Sequence, residues 1–350
     1  MNAVRPGRPL GYLLAASLVA LVCLLIPDPS YGGPDPSYGG PDPGYGGPGV
    51  PGPSYGGPGG PGPSRSTPGG PANAPTGAPG CTGVRDSLRP AGPLPAPGAM
   101  PAGSTMAAIV ARGRLIAGVD QGKYLAGYRN PATAELVGAD IDLVHQIAAA
   151  LFGDPAKVQF VVLNIADRVN AITSKQVDLV VDQFSITCGR QRDVEFSAPY
   201  LRAAQRILVP RASGVREVED LAGKRVCTSL GSTTVGVLRA LPDRLDVLIL
   251  PGIPDCMLEL QQGRVAAVSS DDVILAGLAA QDPTTEVVGR PLDQASYGVG
   301  MSPAAPDLVR FVNGVLERAR ADGTLAASDR RWFTGSLDPV PQPAPARYRD

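Results

Sequence analysis

The stretch "QFSITCGRQRDVEFSAP" (183–199) places two guanidiniums, Arg190 and Arg192, just after the hydroxyls of Ser185 and Thr187, with the thiol of Cys188 between them. Guanidinium beside hydroxyl suits an oxyanion, because the planar fork offers parallel N–H groups and the hydroxyls meet the remaining lone pairs. A second donor cluster, Ser232 and Thr233 in "LGSTT", stands at a turn leading into a helix, where backbone N–H groups add partial positive charge. Asp271, at the end of the run "VAAVSSD", has the opposite sign and could hold a cation. Arg168, in "ADRVNAITS", is a further fixed positive charge. Each residue also has a plain reading. Arg190 and Arg192 could pair with Asp193 or Glu195 on the surface, where such pairs contribute little. Arg168 could be solvated, Asp271 could cap a helix, and Gly-Ser-Thr turns are common. A scaffold that brings these residues together would raise them above the plain reading.

The elements that must position them form an α/β pattern. "GRLIAGVD" (113–120) predicts a strand. In "LVGADIDLVHQIAAALFG" the apolar positions Ile141, Val144, Ile147, Ala148 and Leu151 recur at helical spacing, with Asp140 as N-cap. "VQFVVL" (158–163), "ADRVNAITSKQ" and "VDLVVD" follow as strand, helix and strand, which predicts a parallel sheet. The alternation then restarts: "QRILVP" (205–210), "LAGKRVCTSLGSTTVGVLRAL", "LDVLIL", "PDCMLELQQG" and "VAAVSSDDVILAGLAA" read as a second α/β half. "YGVGMS" is a last strand, and two helices follow it. The second half is thus inserted in the first, with crossings near 201–206 and 292–298, and a cleft between such lobes is a natural ligand site.

Upstream, the composition changes. PDPSYGG occurs at 27–33 and 34–40, and PDPGYGG at 41–47. Such Pro/Gly/Tyr-rich sequence has too little apolar surface to offset chain entropy and predicts a disordered linker over 27–104. Before it, Arg5 and Arg8 precede the uncharged stretch Leu10–Ile26, which predicts an uncleaved signal-anchor helix with a cytoplasmic N-terminus (1–26). Residues 339–350 read as a flexible tail. Everything after Pro27 then faces the oxidising side, so Cys81, Cys188, Cys227 and Cys256 predict two disulfides with three possible connectivities. The formal net charge of −1 gives no bulk attraction to nucleic acid. No Cys/His spacing suits a metal, the only histidine is His145, and no cofactor is implied.

Several ordered motifs over about 110–335 resemble the type II periplasmic substrate-binding proteins of ABC transporters, in their polar amino-acid family. "ELVGADIDLVHQIAAAL" is similar to the first-helix signature G-F-D-x-D, with Ala139 in place of Phe. "VDLVVDQFSIT" with "GRQRDVEFSAPY" is similar to the D-x-x-x-x-x-x-S-I-T-x-x-R segment. "LAGKRVCTSLGSTT", "VAAVSSDDVILAG" and "ADGTLAASDRRWF" resemble the family's turn, second-lobe acid and closing helix. A closer likeness is to actinobacterial glutamate-binding proteins and mycobacterial GlnH-type receptors, which share both second-lobe cysteines.

The resemblance implies a two-lobed α/β fold of the type II periplasmic binding proteins, with lobe 1 at 105–203 and 297–338 and lobe 2 at 204–296. It implies an amino-acid ligand, whose carboxylate Arg190, Ser185, Ser232 and Thr233 would hold and whose ammonium Asp271 would hold. Gln183 and Phe184 would supply a backbone carbonyl and an apolar cover. Arg168, a position where acidic-ligand binders carry Arg, implies L-glutamate or L-aspartate, with glutamine as a further option. Lys123 and Tyr124 would add donors and a wall. The partner would be an ABC permease or, alternatively, a membrane sensor. A dehydratase-like enzyme on this fold would need a general acid or base in the cleft, and no histidine is available there. The likeness also implies a Cys227–Cys256 disulfide. Cys81 and Cys188 would then pair with each other and staple the linker's far end to the first lobe, the alternative being a buried thiol at Cys188.

Overall fold

The computed structural model describes residues 83–350 except Asp243. The expected anchor, the repeats and Cys81 lie outside the described residues. No helix among the described residues is long and apolar enough to cross a membrane.

The described residues start with β1 (Ser87–Leu88), α1 (Thr105–Arg112) and β2 (Leu115–Val119). Three short strands follow, β3 (Gly122–Lys123), β4 (Gly127–Arg129) and β5 (Leu136–Val137). Then come α2 (Ala139–Phe152), β6 (Val158–Val162), α3 (Arg168–Thr173), β7 (Leu179–Val180) and β8 (Glu195–Phe196). The second lobe comprises β9 (Leu201–Pro210), β10 (Arg225–Ser229), α4 (Thr234–Ala240), β11 (Asp246–Leu250), α5 (Ile253–Gln261), β12 (Ala267–Asp271), α6 (Asp272–Gln281) and β13 (Thr285–Tyr297). The chain returns through β14 (Gly300–Met301), α7 (Pro306–Ala321), α8 (Thr324–Phe333) and β15 (Tyr348–Arg349).

Each lobe is built on a five-stranded sheet, ordered β6-β2-β7-β14-β8 in the first and β11-β10-β12-β9-β13 in the second. The expected two-lobed α/β architecture with an inserted second half is therefore present. The sheets are mixed, however, where the alternation predicted parallel ones. β2 runs parallel to β6 and β7, and β10 to β11 and β12, but β14 runs antiparallel to β7 and β8. β9 and β13, which pair antiparallel over most of their length, are the two crossings between lobes. A chain that returns from the other lobe enters its sheet from the opposite end. "YGVGMS" accordingly divides, with Tyr297 ending β13 and Gly300–Met301 forming β14.

The core follows the sequence pattern. Ile141, Val144, Ile147, Ala148 and Leu151 of α2 are all 1% exposed or less, and burial of each large side chain contributes roughly 1.5–3 kcal/mol. Gly118 of β2 has no room for a side chain, since a Cβ there would lie 2.5 Å from the Leu163 side chain. The N-cap of α2 is Gly138, not Asp140, because Asp140 lies inside the first turn with its carboxylate buried and bonded elsewhere.

Both chain ends depart from expectation. Residues 83–104, predicted as the end of the linker, pack on the first lobe: Leu88 is buried, and Leu94 packs against Gly314. The predicted flexible tail ends in β15, which pairs parallel with β1. Pro/Gly-rich composition hid a few apolar anchors that find a ready-made surface.

Candidate functional site

A narrow cleft lies between the lobes. From the first lobe Lys123, Ile165, Arg168, Gln183, Ser185 and Arg190 line it. Ser229, Ser232, Thr233, Thr234, Ser270, Asp271 and Ile274 line it from the second.

Arg190 reaches it from a 3-10 turn over Arg190–Arg192. The turn is set locally, with the Arg190 N–H donating to Thr187 Oγ1 at 3.2 Å, so that Thr187 shapes the turn rather than facing the cavity. Arg190 Nη1 donates to the Ser185 carbonyl at 2.7 Å, and Nη2 crosses the cleft to the Gly231 carbonyl at 2.9 Å. Neither Asp193 nor Glu195 pairs with it, so the plain surface reading does not hold for Arg190. Arg192 by contrast is a peripheral side chain whose Nε lies 3.5 Å from the Gly189 carbonyl. Burial, and then repulsion from Arg168, lower the Arg190 guanidinium to about 9.

Arg168 is 3% exposed, which excludes the solvated reading. Its Nε donates to the Ile165 carbonyl and its Nη1 to the Asp182 carbonyl, both at 2.9 Å, with the Asp182 carboxylate 3.6 Å away. Phe184 is fully buried and carries both guanidiniums, with Arg168 Cζ 4.4 Å and Arg190 Cζ 4.9 Å from its ring centroid. The ring is a platform under the cations rather than a wall of the cavity. It is fixed edge-on against Phe196 at 4.9 Å, and Gly300 leaves it room, since a Cβ there would lie 2.9 Å from the ring.

Lys123 is buried and bonds the Asp182 carboxylate, with Asp120 3.4 Å away. Burial works to lower its pKa, but the two carboxylates outweigh burial and the shift is upward. Tyr124 is not among the residues lining the cavity; its ring packs edge-on against Tyr128 at 5.1 Å. Burial raises Asp182 despite the pull of Lys123 and Arg168.

Gln183 has φ +45°, a conformation costly for a residue with a Cβ. Its N–H holds it there by donating to Asp140 Oδ2 at 3.0 Å and Tyr200 Oη at 3.1 Å, while Tyr200 donates to Asp140 Oδ1. Gln183 lines the cavity, and neither the oxygen nor the nitrogen of its carboxamide has a partner among the described residues.

Across the cleft, Asp271 is the N-cap of α6 by position but caps nothing with its side chain, which accepts from the Tyr297 hydroxyl. Burial raises it to about 6, although the Tyr297 hydrogen bond works the other way. Asp272 instead braces the crossing strand, accepting from the Ala204 N–H at 3.0 Å. Ser232 Oγ donates to the Ser229 carbonyl at 2.8 Å. Thr234, missed from sequence, bonds both Ser232 and Thr228 and so orders the turn.

Sequence reasoning also missed Asp182, Ser229, Ser270 and the apolar Ile165 and Ile274. The signal for Asp182 was present: a carboxylate that closes the apolar run "VDLVVD" must be buried, and a buried carboxylate needs cations. Cys227 and Cys256, both fully buried, form the expected disulfide and tie β10 to α5. Cys188 is also disulfide-bonded, whereas its expected partner Cys81 is outside the described residues.

Among known proteins, the profile of the bacterial extracellular solute-binding proteins, family 3, matches residues 115–335. The ABC transporter glutamine-binding protein GlnH of Bacillus subtilis (strain 168) is 29% identical over 230 residues, covering 65% of this chain and 84% of that protein. The glutamate-binding protein GluB of Corynebacterium efficiens is 27% identical over 247 residues, covering 67% of this chain and 82% of that protein. The solute receptor for L-cysteine of Neisseria gonorrhoeae superposes with a TM-score of 0.65 at 25% identity, covering 69% of this chain and 100% of that one.

Proposed function

Since this chain belongs to the bacterial extracellular solute-binding proteins of family 3, we propose that it binds an acidic amino acid, L-glutamate or L-aspartate, between its lobes and delivers it to an ABC permease. The observation that carries this reading is the convergence of Arg168 and Arg190 on one Phe184 ring, opposite Asp271. Three cations, Lys123, Arg168 and Arg190, line the cavity, against the buried carboxylates Asp182 and Asp271. Asp120, 3.4 Å from Lys123, shares that cation with Asp182. Burial raises Asp140 to about 7, so it is about half ionised at neutrality. The second carboxylate of an acidic ligand would meet the Arg168 guanidinium, whereas glutamine offers only a neutral amide there. The relatives above, a glutamine- and a glutamate-binding protein, support an amino-acid ligand. In this reading Arg190 and Ser185 hold the α-carboxylate with the Ser232–Thr233 turn, Asp271 holds the ammonium, and Arg168 and the free Gln183 carboxamide meet the side chain.

Loss of one partner from a buried charge pair costs about 2–5 kcal/mol. Arg190→Ala should therefore abolish measurable glutamate binding by calorimetry, and near-native affinity in that variant would overturn the assignment. We further propose that residues 1–26 tether the protein to the membrane, that lobe 1 comprises 105–203 and 297–338 and lobe 2 comprises 204–296, and that Cys188 pairs with Cys81. The intact mass and a non-reducing peptide map of the mature protein test the two covalent points. A mature N-terminus after Ile26, or Cys188 joined to another residue, would refute the corresponding one.

A further inference from the structure

The two ends of the described chain meet outside the region covered by the family profile. β1 and β15 pair in register, Ser87 with Tyr348 and Leu88 with Arg349. The Ser87 N–H donates to the Arg347 carbonyl at 3.2 Å and the Arg89 N–H to the Arg349 carbonyl at 3.0 Å. This two-stranded strap is seated on the first lobe: Ser87 Oγ donates to the Phe196 carbonyl, and Asn313 Nδ2 donates to Ser87 Oγ and the Leu88 carbonyl.

Its remaining contacts fall on the loop that carries Arg190. The Gln191 carboxamide, 4% exposed, acts as a surrogate backbone: Oε1 accepts from the Arg85 N–H at 2.7 Å, and Nε2 donates to the Arg85 carbonyl at 2.9 Å. The Arg85 guanidinium returns to the Gln191 carbonyl. Glu195, just beyond the turn and buried, receives Arg349 at 2.8 Å and Arg85 at 3.7 Å, one cation from each end of the chain. The turn itself is a three-residue 3-10 segment, and such segments have little stability of their own.

We propose that the strap is a positioning device for Arg190, coupling the segment before the first lobe and the C-terminal tail to the ligand site although no strap residue lines the cavity. The proposal rests on Arg190 being the ligand's carboxylate partner. It has a reciprocal consequence: if a docked strap tightens ligand binding by some factor, bound ligand tightens strap docking by the same factor. The segment N-terminal to the strap then joins an element whose stability reports ligand occupancy.

With disulfides intact, the full chain is compared first with a form truncated after Ala346 and with Gln191→Met, which keeps the volume but removes both carboxamide bonds, and two Arg349 variants follow. Hydrogen exchange is followed first without ligand. The Gln191 and Val194 amides, which donate to the Thr187 and Arg190 carbonyls, should exchange about 5- to 50-fold faster in both altered proteins. L-Glutamate is the probe for affinity. Its Kd should rise by a similar factor in both, and saturation of wild type should slow the Ser87 and Arg89 amides by that factor. Arg349→Lys, which keeps a cation on Glu195, should recover most of the affinity that Arg349→Ala loses. Unchanged loop exchange in the altered proteins, or a Kd within twofold of wild type while the strap amides exchange freely, would overturn the proposal. Faster loop exchange in a protein whose wild type binds no glutamate would keep the strap's action on the loop and reject only the ligand assignment.

Discussion

At the residue scale, Asp271 sets the expected pH response. Burial raises its carboxyl to about 6, so the ligand-free site begins to hold a proton there as pH falls. Only the ionised form can pair with an ammonium, and the ligand must displace that proton. Glutamate affinity should therefore be nearly flat above pH 7 and fall by up to about tenfold per unit below pH 6. Titrations from pH 5 to 8 check this, and a constant Kd across that window would remove Asp271 from the site. Asp271 was legible in the sequence because a charge at the end of an apolar run asks for a partner, and Arg190 and Ser185 because a guanidinium stood beside hydroxyls in a segment with a family resemblance. The partners were less legible. Asp182 joins Lys123 and Arg168 over 59 and 14 residues of sequence separation, and only the folded sheet brings the three together. Asp140 resembled an ordinary cap because its true acceptor role depends on Tyr200 and Gln183, which lie in later elements.

At the element scale, the strand and helix order of both halves could be read from apolar periodicity. The strand directions could not, since periodicity does not record where a returning chain re-enters its sheet. Glycines mark where the two lobes touch. Gly231, at φ +77°, sits against the backbone of Ala166, and a Cβ there would lie 2.7 Å from Ala166 Cα. Gly277, inside α6, faces the Tyr124 carbonyl of the first lobe, and a Cβ would lie 2.4 Å from that oxygen. The oxygen belongs to backbone, so only separation of the lobes relieves the clash. Within the helix, alanine is favoured over glycine by about 1 kcal/mol. Gly277→Ala should thus leave the thermal stability of the ligand-free protein equal or higher and weaken glutamate binding by roughly tenfold or more. Differential scanning calorimetry with and without glutamate separates the two effects. A variant that loses stability without ligand, or binds as wild type does, would contradict this view of lobe contact.

At the scale of the whole molecule, β9 and β13 carry the chain between lobes, and the ligand cavity forms where the two sheets face each other. The two-lobed plan followed from the restart of the α/β pattern, but the docked chain ends did not, because their few apolar residues are diluted in Pro/Gly-rich sequence. The central claim is that this cavity selects an acidic amino acid through Arg168. Calorimetric titration of wild type and Arg168→Leu with L-glutamate and L-glutamine tests it most directly. Wild type should prefer glutamate, and the substitution should weaken glutamate far more than glutamine, because only the charged ligand loses its countercharge. Equal losses for both ligands, or tighter binding of glutamine by wild type, would contradict it.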